Sequence, residues 1–259
     1  MAGYLAVSVI LGLIIGSFLN VCIFRIPRNY SIISPGSSCT ACKTPIQPWD
    51  NIPIISYIIL AGKCRQCGEK ISLIYPAVEL LNGLLYACVY LTYGPGWHLP
   101  LLFLFVSAMI VITFIDLEFQ IIPDVITLPC IVLGLVAAQF YVADPFSAHS
   151  VLGFLNSLIG CLSGGVIFWL IVILSRGGMG GGDVKMMAMV GAFTGWKGVF
   201  LTTLIGSGAG SLIGIGLMVF TGAGRKTKVP FGPFLALGSL ITIFLGNLIF
   251  NWFFPYPIG

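Results

Sequence analysis

Two aspartates stand where chains beside lipid rarely keep acids. Asp116 closes an apolar run that begins at Leu99, and Asp183 follows the string Gly177, Gly178, Met179, Gly180, Gly181, Gly182. A carboxylate at the edge of hydrocarbon is costly enough to be read first as functional. Two that meet cannot both ionise cheaply, so one keeps a proton and serves as acid while its partner serves as base. Glycines without side chains let the backbone approach a substrate strand or a neighbouring helix, and would carry Asp183 to the end of the run that Asp116 closes. The plainer reading makes Asp183 a helix cap and its glycines a connector. Asp124, directly after Pro123, fits an N-cap and Asp144 a loop.

A second constellation is Cys39, Cys42, Cys64 and Cys67, two Cys-x-x-Cys pairs separated by 21 residues. Four thiolates at this spacing close a tetrahedral shell around zinc, and such binding folds a segment too small to build its own apolar core. Free thiols or redox chemistry are the alternatives. Cys22, Cys88, Cys130 and Cys161 lie within apolar runs and read as packing residues.

The elements that position these groups follow from composition. Of 259 residues 58% are hydrophobic and 8% charged, with mean hydropathy +1.06, against roughly 25% charged in soluble domains. This is the composition of an all-α polytopic membrane protein. Apolar stretches occupy residues 4–24, 73–93, 99–115, 125–142, 151–174, 184–195, 199–220 and 231–254, about eight helices. The sixth is short for the ~20 residues a crossing needs. The division is a first helix (1–24), a hydrophilic loop domain (25–72) and a membrane core (73–259). The first apolar stretch reads as an uncleaved span, since no basic residues precede it and Val21 does not supply the small residue of a cleavage site.

If all eight segments cross, eleven of the twelve basic residues share one side and only Lys197 lies opposite. The excess of Lys and Arg places that side in the cytoplasm, so the N-terminus is outside and the loop domain and both aspartates are at the cytoplasmic face. A cytoplasmic loop also disfavours disulfides between its cysteines. No basic tail points to nucleic acid.

The ordered set Gly16-Ser17-Phe18-Leu19-Asn20-Val21, the two cysteine pairs, Asp50-Asn51-Ile52-Pro53, Tyr75-Pro76-Ala77-Val78-Glu79-Leu80, Asp116 to Ile122-Pro123-Asp124, Gly180-Gly181-Gly182-Asp183-Val184-Lys185 and Pro230-Phe231-Gly232-Pro233 resembles the type IV prepilin peptidases, a branch of the GxGD membrane aspartyl proteases. The resemblance runs nearly end to end. It implies cleavage of the leader of type IV prepilin or type II secretion pseudopilin precursors in the bacterial inner membrane, with Asp116 and Asp183 as the catalytic pair. It also implies N-methylation of the new N-terminus from S-adenosylmethionine.

No strand, glycine-rich turn and helix for a nucleotide is visible, so the loop and the start of the second span must supply the methyl donor's site. Glu79, an acid inside an apolar run, is a candidate substrate or cofactor residue, or else a buried partner of Arg25 or Arg28. Asn51 is a second candidate, or a turn residue before Pro53. Lys185 either snorkels to the interface or contacts Asp183 or the substrate. The competing classes are a transporter or channel using the acids as ion sites, and a non-enzymatic assembly platform. Small residues Gly160, Gly164, Gly206, Gly210 and Gly214 suggest close helix packing.

Overall fold

The computed structural model describes residues 2–147, 150–175, 179–221 and 230–253, and all its long elements are helices: α1 Ala2–Arg25, the short α2 Ile55–Ile59, α3 Ile74–Tyr93, α4 Leu99–Phe119, α5 Asp124–Ala137, α6 Phe154–Leu174, α7 Gly181–Thr221 and α8 Gly232–Phe253. Among the described residues six are long and apolar enough to cross a membrane, namely α1, α3, α4, α6, α7 and α8, while α5 is a shorter apolar helix of 14 residues. The sixth and seventh apolar segments of the sequence are the two limbs of α7, broken at Gly195, whose φ of 69° is open to glycine and strained for other residues. Arg176, Gly177 and Gly178, and the basic cluster Arg225, Lys226 and Lys228, lie outside the described residues.

The chain forms two compact units, and α4 gives residues to each. The first comprises the chain up to Leu99 with Val106–Val111. Here α1 and α3 run antiparallel in backbone contact: a Cβ on Gly12 would stand 2.8 Å from Gly83 Cα, and one on Gly16 would stand 2.7 Å from Glu79 Cα. Small residues allow this approach, and polar side chains then join the helices where lipid offers no competing water. Asn82 donates to Gly12 O at 2.7 Å and accepts from the Ser107 hydroxyl at 3.0 Å, and Asn20 donates to Tyr75 O at 3.0 Å.

In the second unit, Pro100–Phe105 with Ile112–Gly259, helix direction can be followed from contacts. Gly164 meets the Met187 backbone and Gly160 meets Gly191, while the Ser157 hydroxyl donates to Ala192 O at 2.6 Å, so α6 runs against the first limb of α7. Gly182 packs on Ile122 and Gly134 on Phe193, so α5 runs alongside that limb in the same direction. Thr202 meets Thr242, Gly206 meets Phe234 and Gly210 meets Phe231, so the second limb runs against α8. Of the small residues flagged above, only Gly214 has open space around it. Lys197, just past the break, lies over the Phe250 ring near the far end of α8.

Candidate active site and metal centre

Helix α4 ends soon after Asp116, where Gln120 turns left-handed at φ 54° and its N–H bonds Asp116 O at 2.9 Å. Asp183 occupies the first turn of α7. Both side chains belong to the second unit and are buried, at 6% and 7% exposure, and Asp183 lies within electrostatic reach of the Asp116 charge. Each is held by a backbone donor. Gly232 N–H, at the start of α8, donates to Asp116 Oδ2 at 3.0 Å, and Gly180 N–H donates to Asp183 Oδ2 at 3.2 Å. Both carboxylates therefore sit at helix N-termini, whose partial positive charge favours an anion. Gly232, which the sequence showed only as part of a motif, is thus a direct partner of Asp116. A Cβ there would stand 2.7 Å from Asp116 Oδ2.

Asp124 is not an N-cap. Pro123 is the cap residue of α5, and the Asp124 carboxylate instead binds Lys185 Nζ through both oxygens at 2.7 Å. Lys185 is accordingly brought to Asp124 and not to Asp183. The pair ties the first turn of α5 to the first turns of α7.

The four cysteines of the loop place all their sulfurs within 4.8 Å of one another. The two halves repeat the same backbone plan. Cys39 N–H bonds Thr44 O and Lys43 N–H bonds Cys39 O, just as Cys64 N–H bonds Glu69 O and Gly68 N–H bonds Cys64 O. Lys43 and Gly68 are both left-handed, at φ 60° and 71°. Each half is thus a tight knuckle that aims two thiols at a common point. The Cys39–Cys67 sulfur separation is 3.8 Å, which matches the ~3.8 Å edge of a tetrahedron with metal–sulfur bonds of about 2.3 Å. The donor set fits a metal ion such as zinc. Thr44 holds the Cys42 thiol down to about 6, while Cys67 stands at about 11, because burial and its three sulfur neighbours outweigh its Glu69 backbone bond. A cation among them resolves that conflict. Of the other cysteines, Cys22 and Cys130 are buried, Cys161 is half-buried and Cys88 is exposed.

Glu79 is buried, at 8% exposure, and its partners are a backbone N–H and a hydroxyl, not Arg25 or Arg28. Its Oε2 accepts from Ile54 N–H at 2.8 Å, and the carboxylate also bonds the Ser17 hydroxyl. Arg25 donates instead to Ser31 O and Gly36 O, and Arg28 donates to Phe24 O and lies over its ring. Asn51 ends a short 3-10 turn, Pro48–Asn51, and is exposed. Both residues line a cavity of about 470 Å³ in the first unit.

A family model described as Bacterial Peptidase A24 N-terminal domain matches residues 10–93, and one described as Type IV leader peptidase family matches residues 103–215. A Pseudomonas aeruginosa protein named Prepilin leader peptidase/N-methyltransferase is 34% identical over 93% of this chain and 90% of its own length. The chain belongs to the type IV leader peptidase family. Similarly named proteins of Aeromonas salmonicida and Neisseria gonorrhoeae are 32% and 31% identical, over 96% and 97% of this chain and 94% and 95% of their own. No solved structure matches. The first family segment contains all four loop cysteines, Asn51 and Glu79, and the second contains both aspartates and Lys185.

Proposed function

We propose that this protein removes the leader of type IV prepilin-like precursors at the cytoplasmic face of the bacterial inner membrane, with Asp116 and Asp183 as the proteolytic pair, and then N-methylates the exposed residue. One observation carries the peptidase reading: two buried carboxylates, 67 positions apart in sequence, share one compact unit, lie within electrostatic reach and are each pinned by a backbone N–H at the start of a helix. The names of relatives alike over nearly their whole length support the same activities. They give no support to a transporter or an assembly platform.

The leader stays in the cytoplasm while the apolar stem of the precursor enters the bilayer, so the scissile peptide reaches the carboxylates at the interface. The pair holds one proton between its members. The charged member draws a proton from water as that water attacks the peptide carbonyl, and the protonated member delivers its proton to the leaving amine. Gly232 and Gly180 fix which oxygens are committed to the backbone and leave the others for water and substrate.

Zinc bound by Cys39, Cys42, Cys64 and Cys67 is structural, since four thiolates leave no open position for substrate. S-adenosylmethionine, when bound, supplies an electrophilic methyl group. Glu79 and Asn51 are this chain's candidate residues for that reaction, and Lys185 braces the peptidase site through Asp124. Asp116→Asn and Asp183→Asn, each purified in detergent and incubated with a prepilin precursor, should lose leader cleavage by about 10²–10⁴-fold while remaining folded. Wild-type cleavage by either variant removes that residue from the pair.

A further inference from the structure

The first unit treats Glu79 differently from the other acid on the cavity wall whose partner is known. Asp50 is neutralised by Arg65, which reaches both its oxygens at 2.6 to 3.1 Å. Glu79 is as buried as the aspartate pair, yet it receives one backbone N–H and one hydroxyl and no cation. Two neutral hydrogen bonds orient a carboxylate without balancing its charge. Such a group selects a cation, or a group that becomes cationic as it reacts.

The donor that orients it is itself strained. Ile54 has φ 60° and ψ −49°, and Ile55 N–H closes on Pro53 O at 2.6 Å. This is the rare γ-turn of positive φ, which a β-branched residue adopts at a cost. Backbone strain of this kind persists where the surroundings over-determine it, and it concentrates at functional sites. Here it aims one N–H at one carboxylate oxygen. The adjoining cavity, about 470 Å³, falls within the range of about 300–1,000 Å³ that small-molecule sites occupy. Its wall carries the Gln47 and Asn51 amides and the Tyr57 and Tyr75 rings, the hydrogen-bonding groups and flat faces that an adenosyl group takes.

We propose that Glu79 is the proton acceptor of the methyl transfer, an inference that rests on the N-methyltransferase reading above. The amine nitrogen of the trimmed chain forms a bond to the methyl carbon as the carbon–sulfur bond breaks. The bonding pair stays on sulfur, which passes from sulfonium to neutral thioether. The proton shed by nitrogen goes to the Glu79 carboxylate and from there to water. Ile54 N–H and the Ser17 hydroxyl keep the carboxylate oriented through the cycle.

The test uses the full-length protein in detergent, with Glu79→Gln, which keeps the shape, and Glu79→Asp, which keeps the charge. Methylation of a leader-free pilin peptide should fall by about 10²–10⁴-fold in Glu79→Gln and recover in part in Glu79→Asp. The methylation rate of Glu79→Gln should keep only the rise with pH that the substrate's own α-amine imposes at about 8, and lose any inflection at lower pH seen in wild type. Calorimetric binding of S-adenosylhomocysteine, whose sulfur is neutral, should stay within about threefold of wild type. Leader cleavage by the same preparation reports that the fold survived.

Wild-type methylation by Glu79→Gln overturns the proposal. So does a loss of S-adenosylhomocysteine binding or of leader cleavage that matches the loss of methylation, because Glu79 would then be building the fold or the pocket. A wild-type protein that neither binds S-adenosylhomocysteine nor methylates would remove the methyltransferase reading itself, a result separate from any behaviour of the variants.

Discussion

Gly232→Ala offers a direct measurement of how closely the Asp116 carboxylate, proposed as one of the proteolytic pair, is held. The Cβ it adds would stand 2.7 Å from Asp116 Oδ2, 3.1 Å from Cγ and 3.4 Å from Cβ, where ordinary contact begins at 3.4 Å. The shortfall at Oδ2 is 3.4 less 2.7, or 0.7 Å. That oxygen is the one accepting the Gly232 N–H at 3.0 Å, so it cannot retreat without stretching its own hydrogen bond. Overpacking of this size costs about 1–3 kcal/mol in a packed interior. Expressed entirely in the barrier at about 1.4 kcal/mol per decade, that is roughly a 5- to 150-fold loss in kcat/KM. It brackets the ~10²-fold loss expected for a misplacement near 1 Å.

The assay is leader cleavage of a precursor by enzyme in detergent, beside Gly208→Ala, whose added Cβ meets nothing within 4 Å. Gly208→Ala should cleave within about twofold of wild type, as surface changes usually do. Methylation of a leader-free peptide should survive in Gly232→Ala. If Gly232→Ala cleaves at the wild-type rate, Asp116 does not need the position the structure gives it. If cleavage and methylation fall together, the substitution has damaged the fold and not the carboxylate.

Metal binding by the loop cysteines should release protons at neutral pH. Cys67, at about 11, is protonated there and must lose its proton to ligate, whereas Cys42, at about 6, is already largely thiolate. The binding enthalpy at pH 7 should therefore depend on the ionisation enthalpy of the buffer, and affinity should fall as pH drops through about 6 and Cys42 gains a proton. A buffer-independent enthalpy would contradict this. Breaking the Asp124–Lys185 pair by Asp124→Asn or Lys185→Met should change stability by less than about 1 kcal/mol, because the pair is exposed. It should still lower cleavage several-fold, roughly 0.5–1 kcal/mol of transition-state stabilisation, with partial recovery in the charge-reversed double variant. Additive losses in that cycle would show the two residues acting apart. Cleavage in proteoliposomes should slow as acyl chains lengthen, and rates independent of bilayer thickness would show that the shortness of α5 and of the first limb of α7 does not govern access.

What the sequence displayed was whatever hydropathy and spacing encode locally. The apolar segments, the cysteine pairs and the two aspartates were all visible, and so was the gap between the sixth and seventh segments, because Gly195 with Trp196 and Lys197 interrupts the apolar run. Partnerships were not visible. Gly232 meets Asp116 across 116 positions through a backbone N–H, which leaves no side-chain signature. Opposite charges make Arg25 or Arg28 the natural partner for Glu79, but the acid bonds Ile54 N–H and the Ser17 hydroxyl, while Arg25 turns onto the Ser31 and Gly36 carbonyls. The Asp124 cap failed for a similar reason. Pro123 fits the turn before α5 by its fixed φ, which left the aspartate free for Lys185, 61 positions on.

The same contacts bear on how deep the two aspartates sit. Helix α5 has 14 residues, and the first limb of α7, residues 181–194, is of similar length. At 1.5 Å per residue each spans about 21 Å, against a hydrocarbon core of about 30 Å. They lie side by side and parallel, so their shortfalls fall at the same level and do not offset each other. At the break, Lys197 over Trp196 is suited to the interface, with its aromatic body and charged tip. Anchoring that end leaves the deficit of about 9 Å at the other, where Asp183, Asp116, Lys185 and Asp124 gather. On this geometry the buried Asp116 and Asp183 carboxylates would lie below the level of the surrounding headgroups. A precursor whose stem is apolar and whose leader is basic presents its scissile bond at that depth. The helices are short at the end where the proposed hydrolysis would need water to enter.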